Sequence, residues 1–164
     1  LTGAEMPETR NVLVESARIA RGKIQPLNKL DLRDFDALIF PGGFGVAKNL
    51  CSYAFKGADC DVLPQVAKVL RDAMSKCKPI GALCISPVLL AKVVGHATIT
   101  VGPDAEDAAN VRAMGATHIA TQHGDVVYDE KHRLFSTPCY QLESNLVQIA
   151  EDADSIVKEM LKRI

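Results

Sequence analysis

The sequence lacks the apolar run of about 20 residues that a membrane-spanning helix requires, and its first residues do not resemble a signal peptide. It also lacks an excess of either charge, because 19 lysines and arginines oppose 20 acidic residues. This balance gives no electrostatic reason to expect a nucleic acid or an anionic membrane as partner. Its five cysteines include no C-x-x-C pair, and none of its four histidines is close to a cysteine in sequence. We therefore expect no metal site and a reducing compartment, either the cytoplasm or, in a eukaryote, the mitochondrial matrix.

A chain of 164 residues is long enough for one domain and too short for two ordinary ones. The sequence contains no recognisable linker or internal repeat, so we predict a single domain over residues 1–164. Short apolar runs predict strands at 36–40, 79–83, 98–101 and 117–121, and a β-hairpin that pairs 126–128 with 134–136.

Amphipathic patterns predict the helices. The first helix begins at Pro7 and ends at Gly22, and the second begins at Asp61 as its N-cap. Three further helices cover 88–94, 105–114 and 142–161, the last in two pieces around Asp152. Strands that alternate with helices predict an α/β fold, with a mostly parallel sheet covered on both faces.

Cys84 lies where a predicted strand gives way to a helix. The buried run 79–83 leads into it, and Pro87 is tolerated in the first turn of the helix that follows. A sharp strand-to-helix turn lifts the side chain toward the carboxyl ends of the strands, where open α/β folds bind ligands. The positive end of the helix favours the thiolate, which is the nucleophilic form of cysteine. The pattern therefore predicts Cys84 as a catalytic nucleophile.

A glycine-rich loop follows the preceding predicted strand and reads FPGGFG from Phe40. Successive glycines allow backbone N–H groups to point into a cavity without obstruction by side chains. If this loop lies beside the Cys84 turn, the amides of Gly43 and Ile85 form an oxyanion hole. Each motif alone also has a purely structural explanation, the glycine loop as a tight connection and Cys84 as a small buried hydrophobic residue. Together, at the ends of two strands, they favour a site.

Three segments of the sequence carry a family resemblance: residues 10–22, residues 41–50 (PGGFGVAKNL) and residues 80–87 (IGALCISP). With these motifs the chain resembles the ElbB-type proteins, which are also described as enhancing-lycopene-biosynthesis or isoprenoid biosynthesis proteins with an amidotransferase-like domain. These belong to the class I glutamine amidotransferase-like superfamily, together with the PfpI proteases and the parkinsonism-associated deglycase. The resemblance extends over essentially the whole chain.

The resemblance implies a flavodoxin-like three-layer sandwich with Cys84 as the nucleophile. It further implies a glyoxalase-type activity that converts glyoxal or methylglyoxal to a hydroxy acid without a metal or cofactor. In the superfamily, a glutamate that hydrogen-bonds this cysteine comes from an N-terminal strand-helix-strand, on a segment similar to Gly-x-x-Asp-Gly-x-Glu. The sequence contains no such segment and opens on Leu1 without an initiator Met. We therefore expect it to be the C-terminal portion of a longer protein.

We assign the substrate pocket to residues near the two motifs or near a strand end: Gly42, Phe44, Asn49, His118 and Cys139. Amidotransferase relatives pair the cysteine with a histidine and an acid, but no histidine here has an obvious triad context. His118 and His123 flank a strand end, whereas His96 and His132 are expected in loops. Hydrolysis of glutamine is difficult without such a base, because the leaving ammonia needs a general acid.

Three functions therefore compete. The first is a cysteine-dependent enzyme acting on a small aldehyde or dicarbonyl substrate. The second is a glutaminase-like amidotransferase subunit, which the unassigned histidine disfavours. The third is a non-catalytic redox or stress sensor in which Cys84 is oxidised to a sulfinic acid. In each case the apolar helix faces lead us to expect a homodimer.

Overall fold

The computed structural model describes residues 6–164. The opening Leu1, on which the expectation of a longer protein partly rests, lies outside the described residues. The chain divides into two compact units, Leu1–Asp31 and Leu32–Ile164.

The first unit contains helix α1, Val12–Ile19. The predicted start at Pro7 is wrong, because the side chain of Asn11 accepts hydrogen bonds from the amides of Leu13 and Val14 and so caps the helix at this point. The predicted end is confirmed. Gly22 has a φ of +80° and donates its amide to the carbonyl of Ala17 at 2.8 Å, which closes the last turn.

The second unit is built on a four-stranded sheet with strand order β1-β2-β6-β5. Strands β1 (Leu38–Phe40), β2 (Ile80–Leu83) and β6 (Leu134–Thr137) are parallel, and β5 (Val127–Asp129) is antiparallel to β6. The predicted hairpin is thereby confirmed, and the rings of Tyr128 and Phe135 stack across it with centroids 4.5 Å apart. Since β1, β2 and β6 are parallel, their carboxyl ends meet at one edge of the sheet.

Two further strands, β3 (Thr98–Ile99) and β4 (Thr117–His118), form a separate parallel pair. Both are shorter than predicted. On the other edge of β3, the amides of Thr98 and Thr100 donate to side chains of the main sheet, to the carboxylate of Asp129 at 2.8 Å and to the hydroxyl of Ser136 at 2.9 Å.

The helices of the second unit are α2 (Tyr53–Lys56), α3 (Pro64–Ser75), α4 (Pro87–Val94), α5 (Ala105–Ala113) and α6 (Leu146–Leu161). Helix α3 begins at Pro64 and not at the predicted N-cap Asp61, whose carboxylate pairs with Lys56 at 2.7 Å. Helix α6 is continuous, so its predicted division is wrong. The carboxylate of Asp152 points inward and accepts a hydrogen bond from the amide of Gly124, which leaves the helix intact.

Helices cover both faces of the sheet. Helix α6 packs on β2 and β6, where Leu83 and Phe135 form a buried cluster with Ile156 and Met160. Helices α3 and α4 also contact β2, all of whose residues are buried. The chain therefore forms the expected flavodoxin-like α/β sandwich with a mostly parallel sheet. Within residues 6–164, no helix is long and apolar enough to cross a lipid bilayer.

Candidate active site

Cys84 occupies a sharp turn between β2 and α4. Its φ is +60°, and its amide donates to the carbonyl of Thr137 on β6 at 3.0 Å. The amide of Ser86 donates to the carbonyl of Leu83 at 3.0 Å, so the chain reverses within four residues and enters α4 at Pro87. The thiol is half-buried, and it lies beside the positive end of an eight-residue helix.

The glycine loop packs directly against this turn. A Cβ atom on Gly42 would lie 2.8 Å from the Cβ of Cys84 and 2.9 Å from the carbonyl oxygen of Leu83. The φ of Gly42 is +101°, a left-handed conformation that disfavours other residues. Gly42 is therefore a glycine for two reasons, its backbone conformation and its contact with the nucleophile turn.

A cavity of about 740 Å³ opens beside Cys84. Four other residues that the sequence suggested for the site border it: Gly43, Phe44, Ile85 and Cys139. Its volume is within the range of about 300–1,000 Å³ that is typical of small-molecule sites. The structure thus brings the nucleophile turn, the glycine loop and the segment after β6 together around one concave space.

Gly43 and Ile85 both border the cavity that holds Cys84, with Gly43 exposed and Ile85 half-buried. No backbone hydrogen bond of the turns and loops within residues 6–164 uses the amide of either residue. That these two amides form an oxyanion hole stays a prediction.

Cys139 borders the cavity with only 4% of its surface exposed and a φ of +47°. Burial, together with the negative charge of Asp152 and the proximity of Cys84, raises the pKa of the Cys139 thiol to about 12. It therefore remains a neutral thiol at physiological pH. Burial also raises the pKa of the thiols of Cys51 and Cys60, whereas Cys77 is exposed.

Three residues that the sequence suggested for the substrate pocket, Gly42, Asn49 and His118, do not border this cavity. Asn49 is exposed on a short helical turn, Val46–Leu50. The Nε2 atom of His118 lies 2.9 Å from the carbonyl oxygen of Gly102, and burial lowers the pKa of this histidine. No histidine within residues 6–164 borders the cavity.

His123 belongs to a separate hydrogen-bonded group. Its Nδ1 atom lies 2.8 Å from the carboxylate of Asp152, which is fully buried, and its Nε2 atom lies 3.1 Å from the hydroxyl of Ser144. The hydrogen bond to Asp152 raises the pKa of His123. The Ser144 hydroxyl also has the Leu142 carbonyl as an acceptor at 2.6 Å, so this group is suited to holding the chain between β6 and α6 in place.

Sequence reasoning missed a polar wall of the cavity that Tyr53, Asp107 and Gln141 form. The hydroxyl of Tyr53 donates to one oxygen of the Asp107 carboxylate, and the Gln141 amide donates to the other at 2.8 Å. The three residues come from α2, α5 and the turn after β6. No local motif connects these segments, so no pattern in the sequence identifies them. Among residues 6–164 we find no group of three or more His, Cys, Asp and Glu side chains placed to hold a metal ion.

No protein family model matches the chain. It is 43% identical over 164 residues to the "ES1 protein homolog, mitochondrial" of Rattus norvegicus. It is 42% identical to the "Glutamine amidotransferase-like class 1 domain-containing protein 3, mitochondrial" of Homo sapiens. Both alignments cover 94% of this chain but 62% and 61% of the relatives, so the chain spans about three fifths of their length.

Comparison with solved structures shows which fold the chain adopts. DJ-1beta of Drosophila melanogaster superimposes with a TM-score of 0.53 at 20% identity, covering 82% of this chain and 59% of its own, which identifies the DJ-1-type α/β fold. The isoprenoid biosynthesis protein with amidotransferase-like domain of Ehrlichia chaffeensis superimposes with a TM-score of 0.87 at 32% identity, covering 96% of this chain and 72% of its own. The chain belongs to this family, within the class I glutamine amidotransferase-like superfamily.

Proposed function

We propose that the protein is a cofactor-free enzyme in which Cys84 converts small dicarbonyls such as glyoxal and methylglyoxal to hydroxy acids. The observation that carries this proposal is the position of Cys84, at a strand-to-helix turn on a cavity bordered by the amides of Gly43 and Ile85. Membership of a family of cysteine-containing amidotransferase-like proteins supports the choice of nucleophile.

The reaction begins when the thiolate of Cys84 adds to the aldehyde carbon of methylglyoxal. A carbon–sulfur bond forms, and the carbonyl electron pair moves to the oxygen, which the amides of Gly43 and Ile85 hold. The hydrogen on that carbon then moves as a proton to the adjacent carbonyl carbon, with its electron pair retained through an enediol. This step converts the adduct to a thioester of lactate. Water hydrolyses the thioester and releases lactate and the thiolate, so the net change is addition of one water without an external oxidant.

The proton transfer requires a base. By the family resemblance, this base is a glutamate on a segment similar to Gly-x-x-Asp-Gly-x-Glu, which the 164 residues do not contain. The carboxylate of Asp107 also borders the cavity, but both of its oxygens accept hydrogen bonds from neighbouring side chains. A glutaminase reaction is less well supported, because no histidine within residues 6–164 borders the cavity to protonate the leaving ammonia. The names of the rat and human relatives agree with a mitochondrial location in a eukaryotic cell.

The test compares two cysteine variants of the full-length protein. Cys84→Ala is expected to abolish formation of lactate from methylglyoxal, because the alanine side chain cannot form the covalent adduct. Cys77→Ala is the matched control, since Cys77 is exposed and does not border the cavity. We expect it to retain the wild-type rate. Lactate formation by Cys84→Ala at the wild-type rate contradicts the proposal. Absence of lactate from the wild type also contradicts it and favours oxidation of Cys84 as the function.

A further inference from the structure

The polar wall of the cavity has no part in the chemistry described above. Asp107 is the third residue of α5, where a carboxylate is stabilised by the N-terminal end of the helix. Its two oxygens accept from the hydroxyl of Tyr53 and from the amide of Gln141 at 2.8 Å. A second donor, the side-chain amide of Asn110, reaches the Tyr53 hydroxyl oxygen at 3.2 Å. The carboxylate is therefore held in one position on the wall.

The negative charge of Asp107 is not neutralised by these partners. Tyr53 and Gln141 are uncharged donors, and burial and the hydrogen bond to Asp107 both raise the pKa of Tyr53, so its hydroxyl keeps its proton. None of the described residues that border the cavity is a lysine, an arginine or a histidine. Lys48 lies outside that set, with its exposed Nζ atom 5.5 Å from the ring centroid of Phe44, where solvent screens its charge.

The rest of the cavity is largely apolar. Phe44, Leu83, Ile149 and Ala153 contribute to its walls. A volume of about 740 Å³ holds a molecule considerably larger than methylglyoxal. Apolar walls of this extent favour a ligand with a bulky hydrocarbon substituent, because burial of its surface contributes about 25 cal/mol per Å².

We propose that Asp107 makes the Cys84 cavity selective for uncharged carbonyl compounds with a bulky apolar substituent, and that it excludes anions such as 2-oxo acids. As a statement about substrates, this rests on the proposed function. The selectivity itself is a property of the cavity and applies to any reagent that reaches the thiol. The Asp107 carboxylate repels an anion across the width of such a cavity. At an effective dielectric constant of about 20 and moderate ionic strength, this repulsion slows the reaction of the anion with Cys84 by about three- to twentyfold.

The first experiment measures this selectivity without relying on turnover. Iodoacetamide and iodoacetate alkylate thiols in the same way but differ by one negative charge. Their rates at Cys84 are followed by mass spectrometry of the peptide that contains it, in the full-length protein. In Asp107→Asn the ratio of the iodoacetamide rate to the iodoacetate rate is expected to fall about three- to twentyfold. Asp154→Asn, an exposed carboxylate that pairs with Lys158, is the matched control and should leave the ratio unchanged.

A second variant covers the case in which Asp107→Asn does not fold. Gln141→Lys places an ammonium group beside the intact carboxylate, and it should lower the ratio in the same direction. Circular dichroism and thermal unfolding establish which variants are folded. If folded Asp107→Asn or Gln141→Lys keeps the wild-type ratio, Asp107 does not control access and the inference is wrong.

The second experiment compares substrates in the full-length wild type. We expect kcat/KM to be higher for phenylglyoxal than for methylglyoxal, and lowest for glyoxylate. If none of the three is converted while the alkylation ratio still depends on Asp107, the proposed function fails and the selectivity of the cavity stands. If methylglyoxal is converted but the ratio is independent of Asp107, the proposed function stands and this inference fails.

Discussion

The contact between the glycine loop and the Cys84 turn makes a quantitative prediction for Gly42→Ala. An alanine with a left-handed backbone costs about 1–2 kcal/mol relative to glycine. The new Cβ would also lie 2.8 Å from the Cβ of Cys84 and 2.9 Å from the Leu83 carbonyl oxygen. Forcing an extra carbon into such a packed position costs about 1–3 kcal/mol more. We therefore expect the free energy of unfolding to fall by about 2–5 kcal/mol in total.

Gly43→Ala is the matched control for this prediction. Gly43 also has a left-handed backbone, with a φ of +89°, but a Cβ on it meets no atom within 4 Å. It carries the backbone cost without the steric cost, and the effect of alanine on the unfolded chain is the same in both variants. The difference between the two variants, about 1–3 kcal/mol, isolates the contact with the Cys84 turn. At about 2–4 °C per kcal/mol for a chain of this size, it is readily measured.

The assay is equilibrium unfolding in urea, with thermal unfolding as a second measurement. A double-mutant cycle sharpens it: in a Cys84→Gly background the Cβ of residue 84 is absent, so Gly42→Ala should cost less than in the wild type. Equal destabilisation by Gly42→Ala and Gly43→Ala, within about 0.5 kcal/mol, would refute the packing of the loop on the nucleophile turn. The oxyanion site would then lose its geometric basis.

Two further predictions concern thiol reactivity and pH. Iodoacetamide at pH 8 should label Cys77 and Cys84 in the native protein and the three buried cysteines only after unfolding, because burial raises the pKa of those three thiols. Peptide mass spectrometry measures the labelling, and labelling of a buried cysteine in the native protein as fast as that of Cys84 would contradict this prediction. The pKa of His123 is raised above its ordinary 6.5 by Asp152, so the pair contributes its full stability below pH 6.5 and loses it as the pH rises through the raised value. Urea unfolding of the wild type should therefore show a loss of stability above pH 6.5 that His123→Gln lacks, and the same slope in both proteins would disprove the assignment.

Elements set by local chemistry were predictable from the sequence. The run 79–83 followed by Cys84 and Pro87 predicted a strand, a turn and a helix, because each residue type restricts its own backbone. The hairpin between β5 and β6 was predictable for the same reason. Helix boundaries were less predictable. Helix α1 begins at Val12, because the side chain of Asn11 caps its first amides, and α3 begins at Pro64, whose backbone suits the first turn of a helix. Which of several polar residues caps a helix depends on the surrounding chain.

The sequence by itself determined the α/β class, the family and the candidate nucleophile, since all three depend on short motifs and on the alternation of strands and helices. Only the tertiary structure decided what surrounds Cys84. The parallel strands bring Gly42 into contact with the Cys84 turn. In the cavity wall, Asp107 contacts Tyr53, which is 54 residues away along the chain, and Gln141, which is 34 residues away. Such contacts arise from packing between distant segments, and no local preference of the chain encodes them.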